Sequence, residues 1–256
     1  MYREKLDLTG RVAVVTGGAR GIGLAIVEAL REMGARCVIF GIEDEQGHAA
    51  VDELNASGAA VEYRHLDVRD HEAVATAFEQ VRQAYGVLDI LVTSAGVVSH
   101  KPTSEVTEAD WRFVLDTNLD GTFWCVREAV KQMQGTTTHG AIVTIGSMSG
   151  LIVNFPQMQA SYNASKAAVH SLTASLAAEY AETGIRINSV APGYILTDLT
   201  KKGVSPDWLE LWAAHTPIKR MGNPDEIASL VCFLASDAAS FMTGATVVAD
   251  GGYTIW

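Results

Sequence analysis

Along the 256-residue chain, short apolar runs alternate with longer segments whose apolar positions recur at helical spacing. RVAVVT (11–16) is β-branched and ends at a glycine cluster; GLAIVEALREMG (23–34) follows with a helical period and a glycine stop. CVIF (37–40), a helix near 44–57 and VEYRHLDV (61–68) come next. EAVATAFEQVRQAYG (72–86) leads to LDILVTSAG (88–96), and a long helix near 107–134 leads to GAIVTIGS (140–147). A helix from about 162 to 183 precedes GIRINSVAPG (184–193), and DEIASLVCFLAS (225–236) precedes ATVVADGG (245–252). The alternation runs end to end without a linker. It predicts one α/β domain over 1–256, with about seven parallel strands in a doubly wound sheet and helices on both faces. Ligands of such sheets bind beyond the carboxyl ends of the strands. The polar, Trp-containing interruption at about 198–220 predicts a small helical flap over that end, with an ordinary surface insertion as the alternative.

Composition narrows the function classes. Apolar residues make up 48 %, enough for a large core. A net charge of -11 argues against nucleic acid and against anionic membrane surfaces. No apolar run is long enough to cross a bilayer, and the N-terminal MYREKLDLTGR lacks the apolar middle of a secretory signal, so a cytoplasmic protein is expected. Cys37, Cys125 and Cys232 are far apart in apolar settings, which predicts buried thiols in a reducing compartment. The seven His form no HExxH or Cys/His cluster, so no metal site is expected.

TGGARGIG (16–23) joins the first strand to the first helix. Gly17 permits a tight turn, Gly21 lets backbone approach a pyrophosphate, and Gly23 lets the helix pack closely on the sheet. The N–H groups that open the helix, at Gly21, Ile22 and Gly23, then face the phosphates. After the second strand, an acid that would read an adenosine ribose 2′-OH is absent: Gly41 is followed by Ile42, Glu43 and Asp44. Arg20 favours a 2′-phosphate and the acidic run disfavours one. The cofactor is therefore NAD or NADP, with the balance slightly toward NAD. HLDV suggests that Asp67 accepts from the adenine amino group beside the Val68 backbone; the alternative for Asp67 is a helix cap.

SYNASK (161–166) sets Tyr162 and Lys166 four residues apart on one helix face. A free phenol has a pKa of about 10, and a neighbouring ammonium lowers it, so the pair is suited to exchange a proton with an alcohol or carbonyl. Ser147, ending the fifth strand, is expected to hydrogen-bond the same substrate oxygen. Asn118, in LDTNLDG, is expected to hold a backbone carbonyl or a water near the lysine. A buried Tyr with a surface Lys is the bland alternative.

With these residues on the page, the chain resembles the short-chain dehydrogenase/reductase family over essentially its whole length. TGGARGIG is similar to the family's TGxxxGxG, and TSAG (93–96) stands where NNAG is usual. Asn118, Ser147, Tyr162 and Lys166 fall at the family's catalytic tetrad, and PGYILTD (192–198) at its nicotinamide-contacting segment. The resemblance implies a Rossmann-type sheet of order 3-2-1-4-5-6-7 and usually a homotetramer. It implies cofactor contacts from Ala95, Gly96, Pro192, Gly193, Ile195 and Thr197, and a nicotinamide-ribose contact from Lys166. It also implies that Asn118 anchors a water-linked proton path. Thr93 and Ser94 depart from the paired Asn. Ser147 and Tyr162 are fifteen residues apart where thirteen is common; Ser149 would give thirteen, but Ser147 ends the strand in register. Similarity to polyol members, such as galactitol or arabinitol dehydrogenases, points to Ser149, Asn154 and Gln159 as substrate contacts, Asn154 being alternatively a turn residue. Leu151, Val153, Phe155, Met158, Trp208 and Trp212 would also admit a bulkier ketone. The apolar tail, with Tyr253 and Trp256, is expected at a subunit interface; in similar enzymes a C-terminal carboxylate approaches a structural Mg²⁺, which stays open here. The reading is an NAD(P)-dependent oxidoreductase of polyols. An NADPH-dependent ketone or 3-oxoacyl reductase is the alternative, and a non-catalytic nucleotide sensor the alternative from another class.

Overall fold

In the computed structural model, residues 1–56, 61–135, 140–197, 200 and 204–256 are described. Strand β1, Val12–Thr16, is buried at all five positions because helices cover both of its faces. It pairs in parallel with β2 (Arg36–Gly41) on one side and β4 (Ile90–Thr93) on the other. With β3 (Val61–His65), β5 (Ala141–Ile145), β6 (Arg186–Pro192) and β7 (Thr246–Ala249) the sheet runs β3-β2-β1-β4-β5-β6-β7, the order the resemblance implies.

Alternate strand residues feed two cores. Ala13, Val15 and Ile39 face α1 (Gly21–Glu32) and the last helix, Pro224–Ala235, where Ile26, Val27 and Leu30 meet Ile227, Val231 and Leu234. Val14, Val38 and Leu91 face α3 (His71–Tyr85) and α5 (Gly121–Met133), and Phe40 meets Phe78 edge to face at 5.5 Å. Helix α2 spans Asp44–Asn55. Local chemistry stops the elements where the sequence suggests. Asp70 caps α3 through the Glu72 and Ala73 N–H groups, and Gly86, at φ +76°, ends it.

The long helix expected near 107–134 is interrupted. Helix α4 (Glu108–Leu115) opens with a Thr107–Asp110 capping box, and a π-turn over Asp116–Asp120 separates it from α5. The Gly121 N–H reaches the Asp116 carbonyl, one residue further back than in an α-helix. The bulge carries Asn118 to the carboxyl end of β4.

Helix α6 (Ala160–Tyr180) packs along β5 and β6, with Lys166 at the last residue of β5 and Thr173 Oγ1 on Thr144 Oγ1 further back. The predicted flap is in part a helix, α7 (Pro206–His215), followed by α8 (Pro224–Ala235); the flap's residues 198, 199 and 201–203 lie outside the described residues. Among the described residues no helix is long and apolar enough to cross a membrane. The three thiols are buried and free, and burial pushes each up to about 12. Because β1 lies between β2 and β4, the chain reverses direction across the sheet there, and a crevice opens at the carboxyl ends.

Candidate active site

A cavity of about 550 Å³ fills this crevice. Its β1–β3 side is walled by Gly17, Arg20, Gly21, Ile22 and Gly23, and by Gly41, Asp67 and Val68. The far side carries Ala95, Gly96, Ser147, Ser149, Tyr162 and Lys166, with Gln159 beyond. Pro192, Gly193, Ile195 and Thr197 line it from the end of β6.

The first side fits a dinucleotide. Gly17 and Gly21 adopt φ of +65° and +56°. A side chain on Gly17 would press to 2.8 Å on the Ala95 backbone, and one on Gly23 would collide with the Gly17 carbonyl. No side chain caps the start of α1, so its first N–H groups remain for an anion. Arg20 and Glu43, left as opposing signals by the sequence, meet: Arg20 Nη2 lies 3.1 Å from Glu43 Oε1 at the cavity wall. The Asp67 carboxylate is gripped by Arg69 Nε, at 3.0 Å to both oxygens, and this pairing holds its pKa down. Asp67 does not cap α3; Asp70 does.

On the second side, Tyr162 and Lys166 share one face of α6, with Lys166 Nζ 5.7 Å from the Tyr162 ring centre. Lys166 is 5 % exposed and donates to the Ile145 carbonyl at 2.7 Å. Burial lowers its pKa to about 8. The Tyr162 hydroxyl is hydrogen-bonded with the Ser147 side chain. The expectation that the ammonium depresses the phenol's pKa is corrected. Burial is the largest cause and raises it; the Ser147 hydrogen bond works in the opposite direction. Ser147 Oγ also accepts from the Ser149 N–H at 3.1 Å, which fixes one lone pair.

Asn118 is 1 % exposed and stands behind the wall. The carbonyl it holds is that of Val97, at 2.9 Å, while its Oδ1 accepts from the Val97 N–H at 2.8 Å. Its Nδ2 also reaches Ser165 Oγ at 3.0 Å, one residue from Lys166. Thr93, in place of the usual Asn, has a buried hydroxyl with no partner, and Thr16 Oγ1 takes over the loop by accepting from the Ala95 N–H.

At the substrate end Asn154 is a second correction. It does not line the cavity. Its amide donates to the Tyr194 hydroxyl at 3.1 Å and its carbonyl accepts from Gln159 at 3.0 Å, so it supports the wall from behind. Gln159 also reaches Ser149 Oγ at 3.3 Å. Three wall residues were not singled out as contacts by sequence reasoning. Gln157 donates to the Tyr194 hydroxyl at 2.8 Å and accepts from Trp212 Nε1 at 3.3 Å, and Tyr194 stacks on Trp212 at 4.1 Å. Tyr194 stands inside a stretch already marked, PGYILTD, and Gln157 lies between the marked Asn154 and Gln159, but spacing alone carries no orientation. His100 also lines the cavity, edge-on to Trp208 of α7, and burial lowers its pKa.

Comparison with known proteins agrees with this geometry. Residues 17–254 match the family model described as enoyl-(acyl carrier protein) reductase. The chain is 46% identical to galactitol 2-dehydrogenase of Rhizobium johnstonii, over 100% of this chain and 99% of that one. It is 49% identical to the crystal structure of gox2181, with a TM-score of 0.97 and full coverage of both chains. A gluconate 5-dehydrogenase from Burkholderia cenocepacia, solved with NADP and tartrate, is 32% identical with a TM-score of 0.94 and again full coverage of both. Fold, crevice and similarity together make the chain a member of the short-chain dehydrogenase/reductase family, an NAD(P)-dependent oxidoreductase that interconverts alcohols and ketones.

Proposed function

We propose that the chain oxidises a neutral polyol at a secondary alcohol to the ketose, and catalyses the reverse reduction, with Tyr162 as proton acceptor and donor. The observation that carries the reading is the half-buried Tyr162 hydroxyl at the cavity wall, bonded to Ser147 and with Lys166 beside it on the same helix face. When bound, the nicotinamide supplies the hydride acceptor or donor. Tyr162 takes the proton from the alcohol, or gives it to the carbonyl oxygen. Ser147, with one lone pair tied to the Ser149 N–H, hydrogen-bonds that same oxygen and orients it. Lys166 and Asn118 hold the floor of the site, through the Ile145 carbonyl and the Val97 backbone.

The substrate end supports a polyol. Among its described lining residues are hydroxyl and amide groups from Ser149, Gln157, Gln159 and Tyr194, and no carboxylate. Arg20, Glu43, Asp67 and Arg69 belong to the β1–β3 side. Buried amides reject an analogue that leaves them unpaired, so hydroxyl-rich substrates are favoured. The galactitol 2-dehydrogenase relative, named for a polyol, supports the same class. The Arg20–Glu43 pair supports NAD over NADP, because Glu43 occupies the cation that a 2′-phosphate needs. The family resemblance further supports a homotetramer, and the three buried free thiols support a reducing, cytoplasmic compartment.

The test is a polyol and ketone panel with both cofactors, followed by reduced-nicotinamide absorbance. Tyr162→Phe is expected to bind cofactor as the parent does and to lose about a hundredfold or more in turnover. Inactivity on every polyol sinks the substrate class, and near-parent turnover in Tyr162→Phe sinks the proton role.

A further inference from the structure

His170 lies one helical turn beyond Lys166, so Tyr162, Lys166 and His170 follow one another at i, i+4 and i+8 on α6. The imidazole is 8 % exposed and wedged into the exit of β5. Its Nε2 lies 2.9 Å from the Ser147 carbonyl, and its Nδ1 lies 3.0 Å from Ser189 Oγ on β6. Thr246 Oγ1, on β7, stands 3.5 Å from the same Nδ1. A carbonyl only accepts, so Nε2 carries the proton, and Nδ1 is the acceptor for the hydroxyls. The chain is cut to fit this ring. A Cβ on Gly146 would collide with its Cε1, and one on Gly150 would come to 2.7 Å from Cδ2. The two glycines flank Ser147 and Ser149.

The backbone at Ser147 is therefore gripped from α6 at two carbonyls. Lys166 takes that of Ile145, and His170 that of Ser147. Both grips come from the helix face that presents Tyr162. We infer that His170 is a positioning residue, whose Nε2–H holds the Ser147 backbone so that the serine hydroxyl faces Tyr162 and the substrate oxygen. This rests on the roles of Tyr162 and Ser147 proposed above. Nothing in the Lys166 grip replaces it, because the Lys166 bond ends two residues earlier. The Ser147 carbonyl keeps the Gly150 N–H, at 3.0 Å, when the imidazole is removed, so no orphan acceptor is left to unfold the site.

Two amide variants separate positioning from packing. In His170→Gln the side-chain amide falls where Nε2 was and still donates to the Ser147 carbonyl. In His170→Asn it falls where Nδ1 was and cannot reach that carbonyl. Turnover, KM and cofactor Kd are measured for both on a substrate the parent turns over. His170→Gln is expected to keep kcat within about threefold of the parent; His170→Asn is expected to lose about tenfold or more in kcat, with cofactor Kd unmoved. Equal losses in both variants, or parent-like kcat in His170→Asn, overturn the inference. Should His170→Asn not fold, His170→Gln decides alone, since it keeps the donor on the Ser147 carbonyl while removing the ring. A kcat within about threefold of the parent then upholds the inference, and a loss of about tenfold with Kd unmoved overturns it. The two readings fail separately: active Tyr162→Phe sinks the proton role, whereas inactive Tyr162→Phe beside a harmless His170→Asn sinks only the positioning role.

Discussion

Loss of solvent makes the Tyr162 phenol harder to ionise than a free one, and Ser147 offsets this only in part. In the chain alone Tyr162 is protonated at neutral pH, the form that gives a proton to a ketone. Alcohol oxidation needs the phenolate, whose share grows as pH rises toward the raised pKa. Oxidative kcat/KM is therefore expected to climb by about tenfold per pH unit on the alkaline side of neutrality while the reductive direction stays nearly level. A flat oxidative profile from an enzyme stable over that range would contradict it. SYNASK gave away the pair, because i and i+4 share a helix face whatever surrounds them. It did not give away the sign of the phenol's shift, since loss of solvent is a property of the assembled site. The cofactor question was open for a related reason: Arg20 and Glu43 are remote in sequence and meet only in the fold. Glu43→Gln frees the guanidinium for a 2′-phosphate. The pair is half exposed, so the effect is modest, and the NADP-to-NAD ratio of kcat/KM should rise about three- to tenfold. An unchanged ratio in steady-state kinetics would show that Arg20 does not reach the ribose.

At the scale of elements, the β/α alternation was readable because buried parallel strands are apolar at every position while the helices keep their 3.6 period. The π-turn was not. DTNLDG holds no proline, and its pattern continues through α4 and α5, so the extra residue leaves no mark in the period. Its consequence is large, because it lets Asn118 close two hydrogen bonds on the Val97 backbone at the end of β4. Asn154 shows the converse limit. Its place beside the site was readable, but its amide turns toward Tyr194 and Gln159 rather than the cavity. Asn118→Ala leaves the Val97 N–H and carbonyl without these partners, at a cost of about 1–3 kcal/mol. Equilibrium unfolding should show that loss together with a fall in turnover. Parent-like stability would mean that the Val97 loop is held by other groups.

Considered as a whole molecule, the middle of the sheet and its β7 edge are unlike. β1 and β5 are buried at every position, whereas β7 is an edge strand with none of its four residues fully buried and Val248 41% exposed. Phe241 is fully exposed nearby in sequence, and Ile255 and Trp256 are 81% and 76% exposed at the tail. The tail is partly held by its own chain. Tyr253 packs edge-on to Tyr194, and Trp256 donates to the His215 carbonyl. Large exposed apolar side chains around an unpaired edge are what a second copy would cover. A charge of -11 on each copy opposes association, so the contact must be apolar to win. The proposed homotetramer therefore makes a sharp expectation. Light scattering after size exclusion should give a mass well above the 27.4 kDa of one chain, and Phe241→Glu should shift it toward smaller species by placing another negative charge at the contact. Since Tyr253 touches Tyr194 at the cavity wall, the smaller species should also show a raised substrate KM with cofactor Kd little changed. A parent that runs at 27.4 kDa would refute the assembly, and a dissociated variant with unaltered KM would separate the tail from the substrate wall.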